Sequence, residues 1–243
     1  MRRLRRRRRI LSTAIPLATM LGAVGVASTR SGPQTRAVSH PVAVAATVPA
    51  ALPVMDPTAA LATALMEMAP DLRPEALTPA LQAWERLRGE GVATRPLLTV
   101  IDYGLPSTQP RLWVFDLDAR KLVFHELVAH GRNTGEDLAE AFSNDEGSLM
   151  TSLGCFVTGG TYLGSNGYSM RLRGLDAGRN DRAESRAIVM HGASYVDPDF
   201  VRRVGRLGRS WGCPAVRPAV AHDLIDTIKD GSVVFAWHPS LPR

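Results

Sequence analysis

The stretch from Arg186 to Val216 holds a histidine and a cysteine in settings that each suit chemistry. His191 follows the apolar run Ala187-Ile188-Val189-Met190 and precedes Gly192, so the pattern predicts a buried strand that ends at the imidazole and then turns. Cys213 follows Gly212 in Ser210-Trp211-Gly212-Cys213-Pro214. A glycine before a nucleophile lets the backbone turn sharply and aim amide N–H groups at a reacting carbonyl. A free thiol titrates at about 8.5, so near neutral pH it needs a base or a cationic neighbour before it can attack. His191 is the candidate base.

The fuller pattern, His191-Gly192, a gap, then Ser210-x-Gly212-Cys213, resembles the signature of the L,D-transpeptidases, the YkuD-type cysteine enzymes that remodel bacterial peptidoglycan. The similarity extends upstream through Phe142-Ser143-Asn144, Ser152-Leu153-Gly154, Gly167-Tyr168-Ser169-Met170-Arg171-Leu172, Gly174-Leu175 and Asn180-x-x-Ala183-x-x-Arg186, and it covers residues 95 to 238. The resemblance implies a mainly β catalytic domain with a few helices, a mixed sheet or sandwich. It implies Cys213 as nucleophile, His191 as base, and the Gly192 carbonyl as the group that orients the imidazole. N–H groups of Trp211, Gly212 and Cys213 are implied to stabilise the oxyanion, with Ser210 bracing the loop. The implied partner is the tetrapeptide stem of peptidoglycan, with roles in cell-wall organisation and cell shape and with carbapenems as acylating inhibitors. No cofactor is implied. The chain departs from many members at Trp211, where they carry histidine, and at Pro214-Ala215-Val216, where they carry asparagine or arginine. Arg217 is a candidate replacement for that missing polar group.

The elements that must position these residues lie in a chain of 243 residues with 45% hydrophobic content, enough for one good core. Its net charge of +6 is misleading, because seven arginines fall at positions 2, 3 and 5 to 9. Without residues 1 to 27 the balance is 22 basic against 23 acidic, which removes the case for a nucleic-acid partner. Those arginines precede an apolar run, Ile10 to Ala27, that ends in small residues, the layout of a signal peptide or signal anchor. The expected protein is therefore exported to the periplasm or cell envelope, and an uncleaved segment would tether it to the membrane. Residues 28 to 70, rich in Ala, Pro, Val, Ser and Thr, read as a linker, with Ala59 to Met68 as a candidate short helix.

Residues 71 to 94 read as an N-terminal helical element and 95 to 243 as the catalytic domain. Thr78 to Gly89 places Leu81, Trp84 and Leu87 on one helical face, with Trp84 as core packing. Leu97–Tyr103, Leu112–Leu117 and Leu122–Ala129 read as strands, the last two forming a hairpin around Asp118-Ala119-Arg120. His125 and His130 would point to opposite faces of such a strand, and His191, Cys213 and His222 lack compact ligand spacing, so no metal site is expected. The segment from Gly131 to Gly178 reads as loop that rims a cleft, with Tyr162, Tyr168 and Arg171 equally suited to substrate contact or to holding the loop. A helix over Pro218 to Lys229 and a strand over Ser232 to Trp237 follow, with His222 on the helix surface. Cys155, among Leu153, Phe156 and Val157, reads as a buried structural thiol, and Cys213 as an exposed reactive one. The rival classes are an L,D-carboxypeptidase, a D-amino-acid exchange enzyme, a lipoprotein-anchoring enzyme and a non-catalytic wall-binding module.

Overall fold

The computed structural model describes residues 57–241, so the expected export segment and the linker up to residue 56 lie outside the described residues. Helix α1 spans Pro57–Met68 and α2 spans Pro74–Gly89. Helix α2 starts a turn before Thr78 because Pro74 occupies its first turn after an extended Arg73, where a missing N–H costs nothing. Arginines 86 and 88 face the carbonyl end. Ala76, Leu77, Ala80, Leu81, Trp84 and Leu87 form its buried face, so Trp84 is core. Residues 57–70 belong to the folded unit rather than to a spacer: Ala, Leu and Met are strong helix formers, and Leu65, Ala69 and Leu72 are sealed into the same core.

Among the described residues nine strands make one mixed sheet: β1 Leu97–Asp102, β2 Leu112–Asp116, β3 Lys121–Glu126, β4 Val128–Ala129, β5 Gly154–Gly164, β6 Gly167–Gly174, β7 Val189–Gly192, β8 Ala215–Val216 and β9 Val233–Trp237. The spatial order is β3-β2-β1-β9-β5-β6-β7-β8-β4, with β1·β9 and β7·β8 parallel and the other pairs antiparallel. The structure is thus the mainly β fold with a few helices that was expected, built on one mixed sheet. Strands β3 and β4 stand at opposite ends of that order, yet only Leu127 separates them in the chain. The sheet must therefore curl until its edges nearly meet. Its two faces pack different partners, as strand alternation requires. Val234 and Ala236 of β9 join a core with helix α4, Pro218–Ile228, while Phe235 and Trp237 join the core under α1 and α2. A third cluster of Leu127, Ala129, Val196, Leu207 and Ala215 lies at the seam. Helix α3, Pro198–Val204, is capped by Asp197 and contributes no buried residue.

The loop expected from Gly131 to Gly178 is corrected in its second half, where β5 and β6 form the longest hairpin of the sheet. Its glycines serve strand geometry. The register shifts between Thr158 and Thr161 around Gly159-Gly160, and Gly167 takes φ +74 at the turn. The expected third strand is also split, at Leu127.

Helix α2 is pinned to the sheet by one ion pair. Asp102, fully buried at the end of β1, accepts Arg73 Nε at 2.7 Å and the Gly104 N–H at 2.9 Å, and Arg73 Nη2 completes a fork on its other oxygen. The Arg73 guanidinium also lies 4.7 Å above the Trp237 ring. Arg73→Ala should lower unfolding free energy by about 3 kcal/mol, because it strands a buried carboxylate. Urea titration checks this, and a loss below about 1 kcal/mol would show that the pair is dispensable.

Candidate active site

Strand β7 is short and buried, and it is flanked by β6 and β8. His191 pairs with Ser169 on one side and with Ala215 on the other, the latter in parallel. Gly192 is required where it sits: an added Cβ would come within 2.9 Å of Ala221 Cβ, so helix α4 packs directly on the strand. The Gly192 carbonyl accepts a hydrogen bond at 2.9 Å from His191 Nδ1, which leaves the lone pair on Nε2. Burial lowers the imidazole's pKa and the Gly192 bond opposes that shift, so the ring is neutral at pH 7.

The segment 210–213 is held by backbone and hydroxyl bonds. The Ser210 N–H donates to His130 O at 2.9 Å, and the Arg132 N–H donates to Ser210 O at 2.8 Å. Ser210 Oγ donates to Cys213 O at 2.6 Å and accepts the Gly212 N–H at 3.0 Å, closing a tight loop around the thiol residue. Gly212 has φ +120, and a Cβ there would lie 2.6 Å from Met150 O, so only glycine fits. Thr151 Oγ1, which accepts the Gly131 N–H at 2.9 Å, approaches Gly212 O at 3.4 Å. Of the three expected oxyanion donors, the Gly212 N–H is committed to Ser210. The N–H groups of Trp211 and Cys213 carry no hydrogen bond among the described residues. The Trp211 side chain points outward, 73% exposed.

The exposed thiol expected at position 213 is corrected: Cys213 is buried, with 7% exposure. Its Sγ accepts the Val189 N–H at 3.5 Å and lies 3.7 Å from Ala187 O. The turn into β7, where Ala187 takes φ +54, thus wraps the sulfur. Burial pushes the thiol pKa up, while the Val189 N–H and the charge of Arg186 pull it down. Among the described residues no hydrogen bond joins the imidazole to the sulfur; the two reach adjacent strands through the His191–Ala215 register. Geometry between such groups tightens when substrate binds. A small void of about 10 Å³ is lined by Tyr103, Thr151, Gly212 and Pro214. A larger groove, about 800 Å³, is lined by α2, Phe235 and Trp237 and so opens on the opposite face of the sheet, away from both residues.

The remaining sequence candidates have structural partners. Arg217 forks onto Glu126, with Nε to Oε2 at 2.8 Å and Nη2 to Oε1 at 2.6 Å, and so does not supply the polar group after the cysteine. Tyr168 donates to Asp226 at 2.6 Å and stacks on the exposed His222, and Arg171 lies 4.5 Å above the Tyr162 ring. His125 stacks on Trp113, whereas His130 is buried against Arg111. Among the described residues no group of three or more His, Cys, Asp or Glu gathers to hold a metal. Cys155 is free and lies on the face under α2, its thiol pushed up to about 12 by burial and by Asp176. Sequence reasoning missed Arg186 and Thr151 as parts of the site. Their partners are distant in sequence, and Arg186 is visible only as a member of the Asn180-x-x-Ala183-x-x-Arg186 resemblance ahead of an apolar run, without a role. Iodoacetamide at pH 8 should label Cys213 at least tenfold faster than Cys155, which becomes reactive only on unfolding. Peptide mass spectrometry reads the ratio, and equal labelling would contradict the burial and charge described.

The sequence matches the L,D-transpeptidase catalytic domain family over residues 68–237. Among solved structures, the chain is similar to the helical cell shape determining protein Pgp2 from Campylobacter jejuni, at 13% identity and TM-score 0.37 over 60% of this chain and 45% of that one. It is also similar to an L,D-transpeptidase from Mycobacterium smegmatis, at 12% identity and TM-score 0.33 over 58% of this chain and 66% of that one. The chain spans less than half the length of Pgp2. No curated protein matches it. With 170 of its 243 residues matched, and His191, Ser210, Gly212 and Cys213 inside the match, the chain belongs to the L,D-transpeptidase catalytic domain family.

Proposed function

We propose that this chain is an exported cysteine acyltransferase that cleaves the terminal D-alanine from a peptidoglycan tetrapeptide stem and passes the acyl group to an amine. The observation that carries the reading is local. A tautomer-fixed imidazole lies on β7, the thiol lies in the loop that leads into the adjacent parallel strand β8 and accepts the Val189 N–H of β7, and among the described residues the N–H groups of Trp211 and Cys213 carry no hydrogen bond. The Cys213 thiol gives its proton to His191 Nε2, and the thiolate attacks the carbonyl of the third stem residue. The two N–H groups receive the oxyanion; losing one such donor typically costs about 2.7 to 4 kcal/mol of transition-state stabilisation. Collapse breaks the peptide bond, D-alanine leaves as an amine carrying the proton from His191, and a thioester remains. The amine of a second stem then attacks, His191 takes its proton, and the thiol is restored with a 3→3 cross-link formed. Water in place of the amine gives a carboxypeptidase, a free D-amino acid gives exchange, and a lipoprotein lysine gives anchoring.

Mass spectrometry of defined tetrapeptide muropeptides after incubation with the protein tests the reading. Dimers support transfer, tripeptides alone indicate hydrolysis, and unchanged substrate leaves a wall-binding module. Cys213→Ala should abolish D-alanine release while unfolding remains cooperative, and His191→Ala should slow release by roughly 10² to 10⁴. Residual turnover near wild type in either variant would reassign that role. A carbapenem should add once per chain, at Cys213.

The export reading rests on the seven arginines and the apolar run that follows them. Among the described residues no helix is long and apolar enough to cross a membrane. A fusion of residues 1–56 to a reporter active only outside the cytoplasm should be active, and a silent fusion would refute export.

A further inference from the structure

Arg186 carries a charge that the rest of the fold does not neutralise. Its half-buried guanidinium makes four hydrogen bonds, all to neutral acceptors on the segment 143–152. Nη1 donates to Ser143 O at 2.7 Å and Ser152 Oγ at 2.5 Å, and Nη2 donates to Ser148 Oγ at 3.1 Å and Met150 O at 2.6 Å. Among the described residues it has no carboxylate ion pair. Two groups act on its charge, Cys213 first and Asp145 second, and Asp145 is exposed and paired at 3.6 Å with Arg182. A half-buried cation fixed by dipoles alone is costly unless an anion forms nearby.

The chain itself brings that anion close. Arg186 immediately precedes Ala187, whose carbonyl lies 3.7 Å from Cys213 Sγ, and Val189 two residues further on gives its N–H to the same sulfur. The other titratable groups near the thiol offer no positive charge. His191 is kept neutral by burial, Tyr195 is raised to about 12, and Tyr103 is raised further. Both phenols stay neutral near pH 7 and supply no counter-charge.

We propose that Arg186 is a positioning residue whose fixed charge, held beside the sulfur by its four bonds to the segment 143–152, is the counter-charge of the Cys213 thiolate. The inference rests on the reading of Cys213 as the nucleophile. It assigns the two cationic duties separately: Arg186 steadies the sulfur anion before attack and again when the thioester is resolved, while the imidazolium holds only the proton that it passes to the departing amine. The same fork sets Met150 O against Gly212, so charge and loop shape come from one side chain.

The test follows the pH dependence of Cys213 alkylation by iodoacetamide in the full chain, by peptide mass spectrometry, for wild type, Arg186→Gln and Arg186→Lys. Removing a nearby cation raises the thiol pKa, so the glutamine variant should need at least one pH unit more for the same rate, about tenfold less thiolate at a given pH. Lysine keeps the charge but loses the fork, and its midpoint should stay within about half a unit of wild type. A wild-type midpoint in Arg186→Gln, or an equal shift in both variants, would overturn the proposal, the second by tracing the effect to loop shape. If Arg186→Gln does not fold, Arg186→Lys decides: a midpoint near wild type supports the proposal and a shift of a unit or more overturns it. Muropeptide turnover by the wild type is scored apart, so a failure of the transpeptidase reading is distinguishable from a failure of this one.

Discussion

The structure depends on a closure constraint. One residue, Leu127, carries the chain from the first strand of the sheet order to the last, so the sheet must curl and the seam must be stitched. Arg111 does the stitching from inside. Its N–H donates to Glu126 O at 3.0 Å, and its Nε and Nη2 donate to Val128 O at 3.1 and 2.9 Å, so one residue holds the chain on both sides of Leu127. Burial lowers this arginine to about 10, which still leaves it charged, and its Nη2 fixes His130 as an acceptor at 2.8 Å. His130 then gives its carbonyl to the Ser210 N–H. From outside, Glu126 takes the fork of Arg217, the residue that follows β8. The loop bearing Cys213 thus hangs between two stitches of the same seam.

Burying the thiol changes what the site must do. An exposed cysteine needs only a base, whereas a desolvated one loses the water that would steady its anion, and its pKa rises. The structure offsets this with one N–H from Val189 and one guanidinium, and burial keeps the His191 imidazole neutral. Burial also strengthens every electrostatic contact in the site, so each of these few groups counts for more than it would in water.

The elements that carry the chemistry were legible because they obey local rules. The strand that bears His191 is announced by the apolar run ahead of it, although only Val189 and Met190 of that run enter the strand, and Pro218 to Ile228 is a helix because its apolar residues recur at helical spacing. The hairpin β5–β6 was not legible. Its Gly, Ser, Thr and Asn content describes loops, and it becomes strand only because β9 and β7 supply partners from outside the hairpin. The burial of Cys213 was hidden for a related reason: a glycine-flanked cysteine looks exposed until Ala187, Val189 and Met150 arrive from elsewhere. Helix α2 was placed on its buried face but began a turn early, because Pro74 starts a helix as readily as Thr78-Pro79 does.

The loop geometry accounts for which signature positions hold their residue type and which are free. Ser210 is required for its hydroxyl, which bonds to both ends of the turn, and Gly212 for a φ of +120 against the Met150 carbonyl. Position 211 contributes a backbone N–H and sends its side chain to solvent, so the turn does not depend on the tryptophan ring. Pro214 has no N–H to give, and the residues after it enter β8, where Ala215 aligns with His191. With Arg217 drawn away to Glu126, no polar side chain after the cysteine reaches the thiol. The shape of the loop is written in its backbone, and the nearest fixed positive charge, Arg186, stands in the turn that leads into β7.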